Sequence, residues 1–131
     1  MAEKLTIPFA RFTLAIIYIW FGALKILELS PASPLVGSLL EKTLPFITLE
    51  QFILYLGIFE VVIGLLFLIP KLTKLAAALF SFHMLLAAAP LLFLPSITWQ
   101  ALLVPTLEGQ YIVKNLALIG LVLAILRDRQ R

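Results

Sequence analysis

Five ionisable side chains interrupt stretches of sequence that are otherwise almost entirely apolar. One acid stands among four potential cations, and an amide follows the last of them: Arg11, Lys25, Glu60, His83, Lys114 and Asn115. A charged side chain at the centre of a membrane-spanning helix costs about 2.5–3.5 kcal/mol on insertion scales, so it normally has a partner or a function. A carboxylate beside a lysine or histidine can hold a proton, and cations can donate hydrogen bonds to a carbonyl or an anion.

Helical spacing places these side chains on common faces. The first stripe, with intervals of four, three, four and three residues, comprises Arg11, Ala15, Tyr18, Gly22 and Lys25. A second stripe comprises Gly57, Glu60 and Gly64. Residues at these intervals share one face of a helix, and glycines let two helices approach closely. We therefore expect all three of these glycines at contacts between helices.

The elements that carry these residues are predicted from composition and apolar runs. The 131 residues are 63% hydrophobic and 13% charged, whereas soluble domains are about 45–50% apolar and about 25% charged. Four apolar segments, 8–27, 52–69, 75–94 and 111–126, would span roughly 24–30 Å as helices, enough to cross a bilayer. The helices that carry them are expected at about 8–27, 50–69, 72–94 and 110–127. The prediction is an all-α, integral membrane, antiparallel four-helix bundle that forms one domain over residues 1–131. This composition excludes a disordered chain and a nucleic-acid-binding protein.

Basic residues predict the orientation of the bundle. Seven of the ten fall at the two chain ends and in the turn between the second and third segments: Lys4, Arg11, Lys71, Lys74, Arg127, Arg129 and Arg131. Cytoplasmic loops carry an excess of lysine and arginine. We expect an inner-membrane protein with both termini in the cytoplasm. The external connections 28–48 and 95–110 are expected to hold a short interfacial helix near Leu35–Leu40 and a loop with Trp99 at the interface.

Depth along the segments suggests a polar pocket. Glu60 and His83 fall near the midplane, Lys25 and Lys114 in the outer half, and Arg11 towards the cytoplasm. We expect Glu60 at the floor of a pocket open to the outer leaflet, paired with one of these three basic residues. Each of these residues also has a purely structural alternative. Lys25 and Arg11 could extend to the membrane surfaces. Any ion pair could serve only stability, and His83 could serve only as a hydrogen-bonding group between helices.

Residue counts also limit the chemistry. The chain has no cysteine and one histidine, which excludes thiolate catalysis and leaves no pattern typical of a metal site. We expect no intrinsic cofactor and no bound metal. A redox role would therefore need a bound ligand, such as a quinone, and a partner subunit.

Four blocks of the sequence resemble DoxX-like membrane proteins, most closely the YkgB-like branch. They are RFTLAIIYIWFGALK at 11–25, SPLV at 33–36, GIFEVVIG at 57–64 and PTLEGQYIVKN at 105–115. The resemblance covers most of the chain and implies a four-helix inner-membrane protein linked with redox or oxidative-stress functions. At the matching positions it implies these site residues: Arg11, Trp20, Lys25, Glu60, Lys114 and Asn115. Asn115 stands where that branch often has aspartate, which removes a second acid.

Three functions remain open at the level of the sequence. The first is a redox accessory that binds a quinone-like ligand, in which Lys25, Lys114 or His83 donates to a ring carbonyl and Glu60 relays a proton. Trp20 or Tyr18 would stack on the ring. The second is a small oligomeric transporter or channel for an anionic or protonatable solute. The third is a structural subunit of a membrane complex, or a homo-oligomer, whose buried ion pairs fix assembly. Whether the chain is an enzyme stays open.

Overall fold

The protein is a bundle of helices with one small hairpin. The structure, a computed structural model, describes residues 2–129. In chain order its elements are α1 (Ala2–Ile26), α2 (Ser33–Thr43), α3 (Leu49–Phe67), a 3-10 turn (Pro70–Leu72), α4 (Thr73–Phe93), α5 (Pro95–Thr98), β1 (Trp99–Ala101), β2 (Val104–Pro105), α6 (Leu107–Val113) and α7 (Asn115–Arg129). The all-α prediction is confirmed. The expected short helix in the 28–48 connection is present as α2.

Four stretches of the described chain are long and apolar enough to cross a membrane. They are Lys4–Ile26, Leu49–Phe67, Pro70–Phe93 and Leu107–Arg129. The shortest has 19 residues, which at 1.5 Å per residue gives about 28 Å, close to the thickness of a hydrocarbon core. Many of their large apolar side chains face outward, for example Leu85 and Leu92, which are 73% and 81% exposed.

Helices α1 and α3 pack against each other in antiparallel directions and at very close range. A Cβ atom added to Gly22 would lie 2.6 Å from the carbonyl oxygen of Gly57, and one added to Gly64 would lie 3.2 Å from that of Ala15. Only glycine allows the two backbones to approach this closely. The expectation that Gly22, Gly57 and Gly64 lie at helix contacts is confirmed.

Helices α4 and α7 complete the bundle around an aromatic and aliphatic core. The rings of Phe67 on α3 and Phe80 on α4 meet edge to face with centroids 6.1 Å apart. Leu14 of α1 and Ile125 of α7 are fully buried in the same core. The start of α1, the turn after α3 and the end of α7 lie together at one end, where they line a common cleft.

Capping residues define where two of the helices begin. The Thr48 hydroxyl accepts a hydrogen bond from the backbone N–H of Gln51 at the start of α3. The Thr106 hydroxyl does the same for Gly109 at the start of α6. Such caps satisfy N–H groups that have no partner within the helix.

Three boundaries differ from the sequence-based expectation. Helix α1 begins at Ala2 rather than near residue 8, because the segment from Ala2 to Leu5 consists of good helix formers and the helix continues through Pro8 in its second turn. The 95–110 connection is not a plain loop, since it folds into α5, the hairpin and α6. The last span is two helices, α6 and α7, which meet at Lys114, where the N–H of Ala117 bonds the Lys114 carbonyl three residues back.

Adding one methyl group at Gly57 should destabilise the bundle, because a Cβ atom there would lie 2.7 Å from the carbonyl oxygen of Gly22. We expect Gly57→Ala to lower the melting temperature in detergent, with a stability loss of about 1–3 kcal/mol, the usual cost of overpacking. Gly120→Ala is the control, since a Cβ atom there meets nothing within 4 Å. Equal melting temperatures for the two variants would contradict the close contact between α1 and α3.

Candidate functional site

A buried ion pair joins α1 to α3 inside the bundle. The Lys25 Nζ donates to Glu60 Oε1 at 2.9 Å. Lys25 is 8% exposed and Glu60 is 4% exposed, so both charged groups are largely removed from solvent. The pair lies beside the glycine contact, where the Lys25 Cβ is 3.0 Å from an added Cβ of Gly57. The close approach of the two backbones is what brings the ammonium to the carboxylate.

His83 and Tyr18 extend the cluster to α4. The Nε2 atom of His83 lies 3.8 Å from Glu60 Oε2, and Nδ1 lies 3.0 Å from the Tyr18 hydroxyl oxygen. The His83 and Tyr18 rings also meet edge to face with centroids 5.1 Å apart. Three helices therefore each contribute to one polar cluster, which we call the Glu60 cluster: Tyr18, Lys25, Glu60 and His83.

The second carboxylate oxygen of Glu60 has no hydrogen-bond partner within the described chain. Oε2 is buried, and it is the one buried side-chain nitrogen or oxygen atom in residues 4–129 that lacks a bond. Leaving a buried polar atom unpaired costs about 1–3 kcal/mol, and more for a charged group. The atom is therefore the natural acceptor for a proton or for a hydrogen-bond donor that enters the bundle.

The charges of the cluster nearly cancel. The Lys25 ammonium balances the Glu60 carboxylate. When the Tyr18 hydroxyl donates to Nδ1, the neutral imidazole carries its proton on Nε2, the nitrogen that faces Glu60 Oε2. The 3.8 Å gap is about 1 Å longer than a hydrogen bond. A small movement of either side chain would connect tyrosine, histidine, glutamate and lysine in one hydrogen-bonded chain.

Two aromatic rings, those of Phe59 and Phe82, lie next to the cluster on the His83 side. The Phe59 ring centroid lies 6.2 Å from that of His83 and 6.1 Å from that of Phe82. The Phe82 side chain is itself 56% exposed. The His83 side chain is 14% exposed, so it is the most accessible member of the ion-pair network.

Arg11 lies outside the cluster, at the other end of the α1 stripe. Its Nη1 donates to the backbone carbonyl oxygen of Phe67 at 3.0 Å. The sequence left Arg11, Lys25 and Lys114 open as partners of Glu60, and the structure pairs Glu60 with Lys25. A carbonyl acceptor at a helix end leaves no mark in the sequence, so the contact with Phe67 was not foreseen.

Lys114, which the sequence placed at the depth of the expected pocket, does not face Glu60. Lys114 is exposed, and its Nζ lies over the Tyr111 ring, 5.0 Å from the centroid. The break between α6 and α7 and the packing of α7 through Val122 and Ile125 set this orientation. Lys114 therefore faces outward and forms a cation–π contact instead of an ion pair.

Trp20 and Asn115 also stand apart from the cluster. Trp20 is 61% exposed on the outer face of α1, where it lines an apolar groove. Asn115, at the first position of α7, is half-buried. Of the eight predicted site residues, the structure brings together four, the members of the Glu60 cluster. It also adds Phe59, whose contact with His83 becomes apparent only when α3 and α4 are packed together.

The side chains that face one another limit the kinds of cofactor that the protein could hold. Within the described residues, no group of three or more histidine, aspartate or glutamate side chains could hold a metal ion. The donors and acceptors that face one another in the Glu60 cluster suit an organic ligand with a hydroxyl or carbonyl group.

Comparisons with known proteins assign no family and no function to the chain. No protein-family model, no curated protein and no solved structure matches the chain. The case for a functional site at Glu60 therefore depends on the contacts, burial and charge of its side chain.

Removing the Glu60 carboxylate should leave Lys25 as an uncompensated buried cation. We expect Glu60→Ala to lower the free energy of unfolding by about 3–5 kcal/mol, as is typical when one partner of a buried pair is lost. Adding Lys25→Met should restore part of this loss, whereas adding Lys114→Met should restore none, since Lys114 is exposed. A double-mutant cycle measured by unfolding in mixed micelles gives the coupling energy. Strict additivity of Glu60→Ala and Lys25→Met would refute the pairing.

Proposed function

We propose that the protein is an integral membrane protein whose Glu60 cluster exchanges protons with a quinone-like, lipid-soluble ligand, as an accessory to a redox system. The observation that carries this proposal is the buried, unpartnered Oε2 atom of Glu60, held between Lys25 and His83. A carboxylate kept in apolar surroundings next to two proton-carrying groups is typical of intramembrane proton relays.

The chemistry of a quinone fits the members of this cluster. Reduction of a quinone to a quinol takes up two electrons and two protons. Glu60 Oε2 can accept a hydrogen bond from a quinol hydroxyl, and His83 Nε2 or the Lys25 ammonium can donate to a quinone carbonyl. The electrons have to come from a partner protein, because the chain has no cysteine and no paired histidines to hold a metal redox centre.

The aromatic residues beside His83 offer a place for a flat ring. Phe82 is exposed on α4, and the Phe59 ring contacts both the Phe82 ring and the imidazole of His83. Offset or edge-to-face contacts between such rings contribute about 0.5–1.5 kcal/mol beyond simple burial. A ligand that enters from lipid would meet these rings before it meets the polar cluster. This position replaces Trp20, which the sequence suggested for stacking.

The resemblance to DoxX-like proteins supports the redox setting. Lys25 of the Trp-x-Gly-x-x-Lys motif and Glu60 of the Gly-x-x-Glu-x-x-x-Gly motif are the two residues that form the buried ion pair. The glycines of both motifs are the contact points between α1 and α3. Two motifs of that family thus meet at one structural feature, whereas Lys114 and Asn115 of the fourth block lie elsewhere.

Membrane insertion with both termini in the cytoplasm is part of the proposal. The four apolar helices supply the spans. The start of α1, the turn after α3 and the end of α7 lie at one end of the bundle. These segments carry basic residues, which usually remain on the cytoplasmic side of a membrane. The inner membrane is the compartment implied by the DoxX-like resemblance.

A structural role is the second candidate. The Lys25–Glu60 pair lies directly beside the Gly22–Gly57 contact, which is where an ion pair would fix the register of two helices. A subunit that serves only assembly would need this pair for stability and would bind no ligand. The unpartnered oxygen of Glu60 favours the ligand-binding role.

Ligand binding can be tested on purified protein with a short-chain quinone analogue. We expect saturable binding by isothermal titration calorimetry, with affinity lowered at least about tenfold in Glu60→Gln, the equivalent of one lost charged hydrogen bond of about 1.4 kcal/mol. Glu50→Gln is the control because Glu50 is exposed in the first turn of the same helix. Unchanged affinity in a folded Glu60→Gln protein would reject the redox-accessory function and leave the structural one.

Orientation can be tested with reporter fusions in living cells. Fusions at either terminus should give the cytoplasmic signal, and tags placed in the 28–48 or 95–110 connections should be labelled by a membrane-impermeant reagent. This result follows from the excess of basic residues at one end of the bundle. A terminus labelled from outside would show that the proposed orientation is wrong.

A further inference from the structure

A basic cleft lies at the end of the bundle where α1 begins and α7 ends. Its polar lining comprises Lys4, Arg11, Asp128 and Arg129, and its volume is about 710 Å³. Apolar residues from α1 and from the turn after α3, including Ile7 and Pro70, form the remaining walls. Three cations and one anion share this space, so the cleft carries an excess of two positive charges.

Arg11 forms the inner part of this cleft. The residue is only 9% exposed, and one of its nitrogens, Nη1, donates to the Phe67 carbonyl oxygen. The other two guanidinium nitrogens, Nε and Nη2, form no hydrogen bond to protein atoms of the described chain. Neither of them is fully buried. They therefore keep access to the surface. A guanidinium fixed at one nitrogen and open at the others is well suited to bind a phosphate oxygen.

Electrostatics favours an anion at this position. Arg129 lies close enough to Arg11 to repel it, and Asp128 offsets only part of that repulsion. The apolar walls weaken screening by water, which increases the repulsion between the cations. A bound anion would compensate the excess charge and supply the open nitrogens of Arg11 with acceptors.

An apolar groove continues from the cleft along the outside of α1. The groove has a volume of about 300 Å³ and is lined by Phe12, Ala15, Ile16, Ile19, Trp20 and Leu68. Leu68 also lines the basic cleft, so the two cavities are neighbours. From Phe12 to Trp20 the helix rises about 12 Å. This groove offers an apolar surface that runs along α1, in the direction of a lipid acyl chain, and covers most of the roughly 15 Å that one leaflet's chains occupy.

We infer that the two cavities together bind one anionic phospholipid. Its phosphate lies in the basic cleft against Arg11, Lys4 and Arg129, and one acyl chain follows the groove towards Trp20. Basic pockets between membrane helices on the cytoplasmic side typically bind anionic headgroups, and the cytoplasmic leaflet supplies such lipids. A free phosphate would use the cleft alone, whereas the adjoining groove favours a lipid.

Native mass spectrometry of the full chain tests the inference. The protein is delipidated and then mixed with equal amounts of phosphatidylglycerol and phosphatidylcholine that have the same acyl chains. We expect preferential retention of phosphatidylglycerol. Arg129→Gln and Lys4→Gln should each lower this preference about fivefold, since one basic residue near anionic lipid contributes about 1 kcal/mol. Both residues are exposed, so the variants should fold. Arg127→Gln, which removes a charge from the same helix end outside the cleft, is the control.

The groove is tested separately by filling it. Ile16→Trp should lower retention of phosphatidylglycerol, whereas Ile58→Trp, at an exposed position of α3 outside the groove, should not. Equal retention of the two lipids, or equal effects of Arg129→Gln and Arg127→Gln, would overturn the proposed site. If inorganic phosphate displaces the lipid completely and Ile16→Trp has no effect, the cleft binds a free anion and the lipid assignment is wrong.

Discussion

The structure depends on one buried contact, the ion pair between Lys25 on α1 and Glu60 on α3. Neither charge is stable alone in apolar surroundings, and each is tolerated because the other lies 2.9 Å away. That distance requires the two backbones to touch, which the glycines at positions 22 and 57 permit. The same register brings Tyr18 towards α4, where it meets His83. Helix packing and the chemistry of the site therefore have one common cause.

The stripe of residues from Arg11 to Lys25 on α1 contributes to two separate sites, the Glu60 cluster and the basic cleft. Arg11 and Lys25 lie on the same face, but fourteen residues of helix put them about 21 Å apart. Lys25 belongs to the cluster around Glu60, whereas Arg11 bonds the end of α3 and opens into the basic cleft. Since all five residues of the stripe are buried, a single helix face supplies the core packing, the candidate proton site and the basic cleft.

The sequence alone predicts the features that depend on one helix at a time. Periodicity placed Glu60 between Gly57 and Gly64, and a lone acid at mid-helix indicated burial. The sequence could not choose the partner of Glu60, because that choice depends on the rotation of each helix in the bundle. Lys114 illustrates this limit: the break before α7 turns its side chain outward onto Tyr111. Backbone acceptors such as the Phe67 carbonyl carry no side-chain signal.

Infrared spectroscopy of the protein in lipid measures the charge state of Glu60 directly. The structure pairs this carboxylate with the Lys25 ammonium at 2.9 Å. At neutral pH the wild-type protein should show no protonated-carboxyl band that disappears in Glu60→Gln. In Lys25→Met such a band should appear, because an unpaired carboxylate in apolar surroundings takes up a proton. A protonated Glu60 in the wild type, or a spectrum that Lys25→Met leaves unchanged, would contradict this pairing.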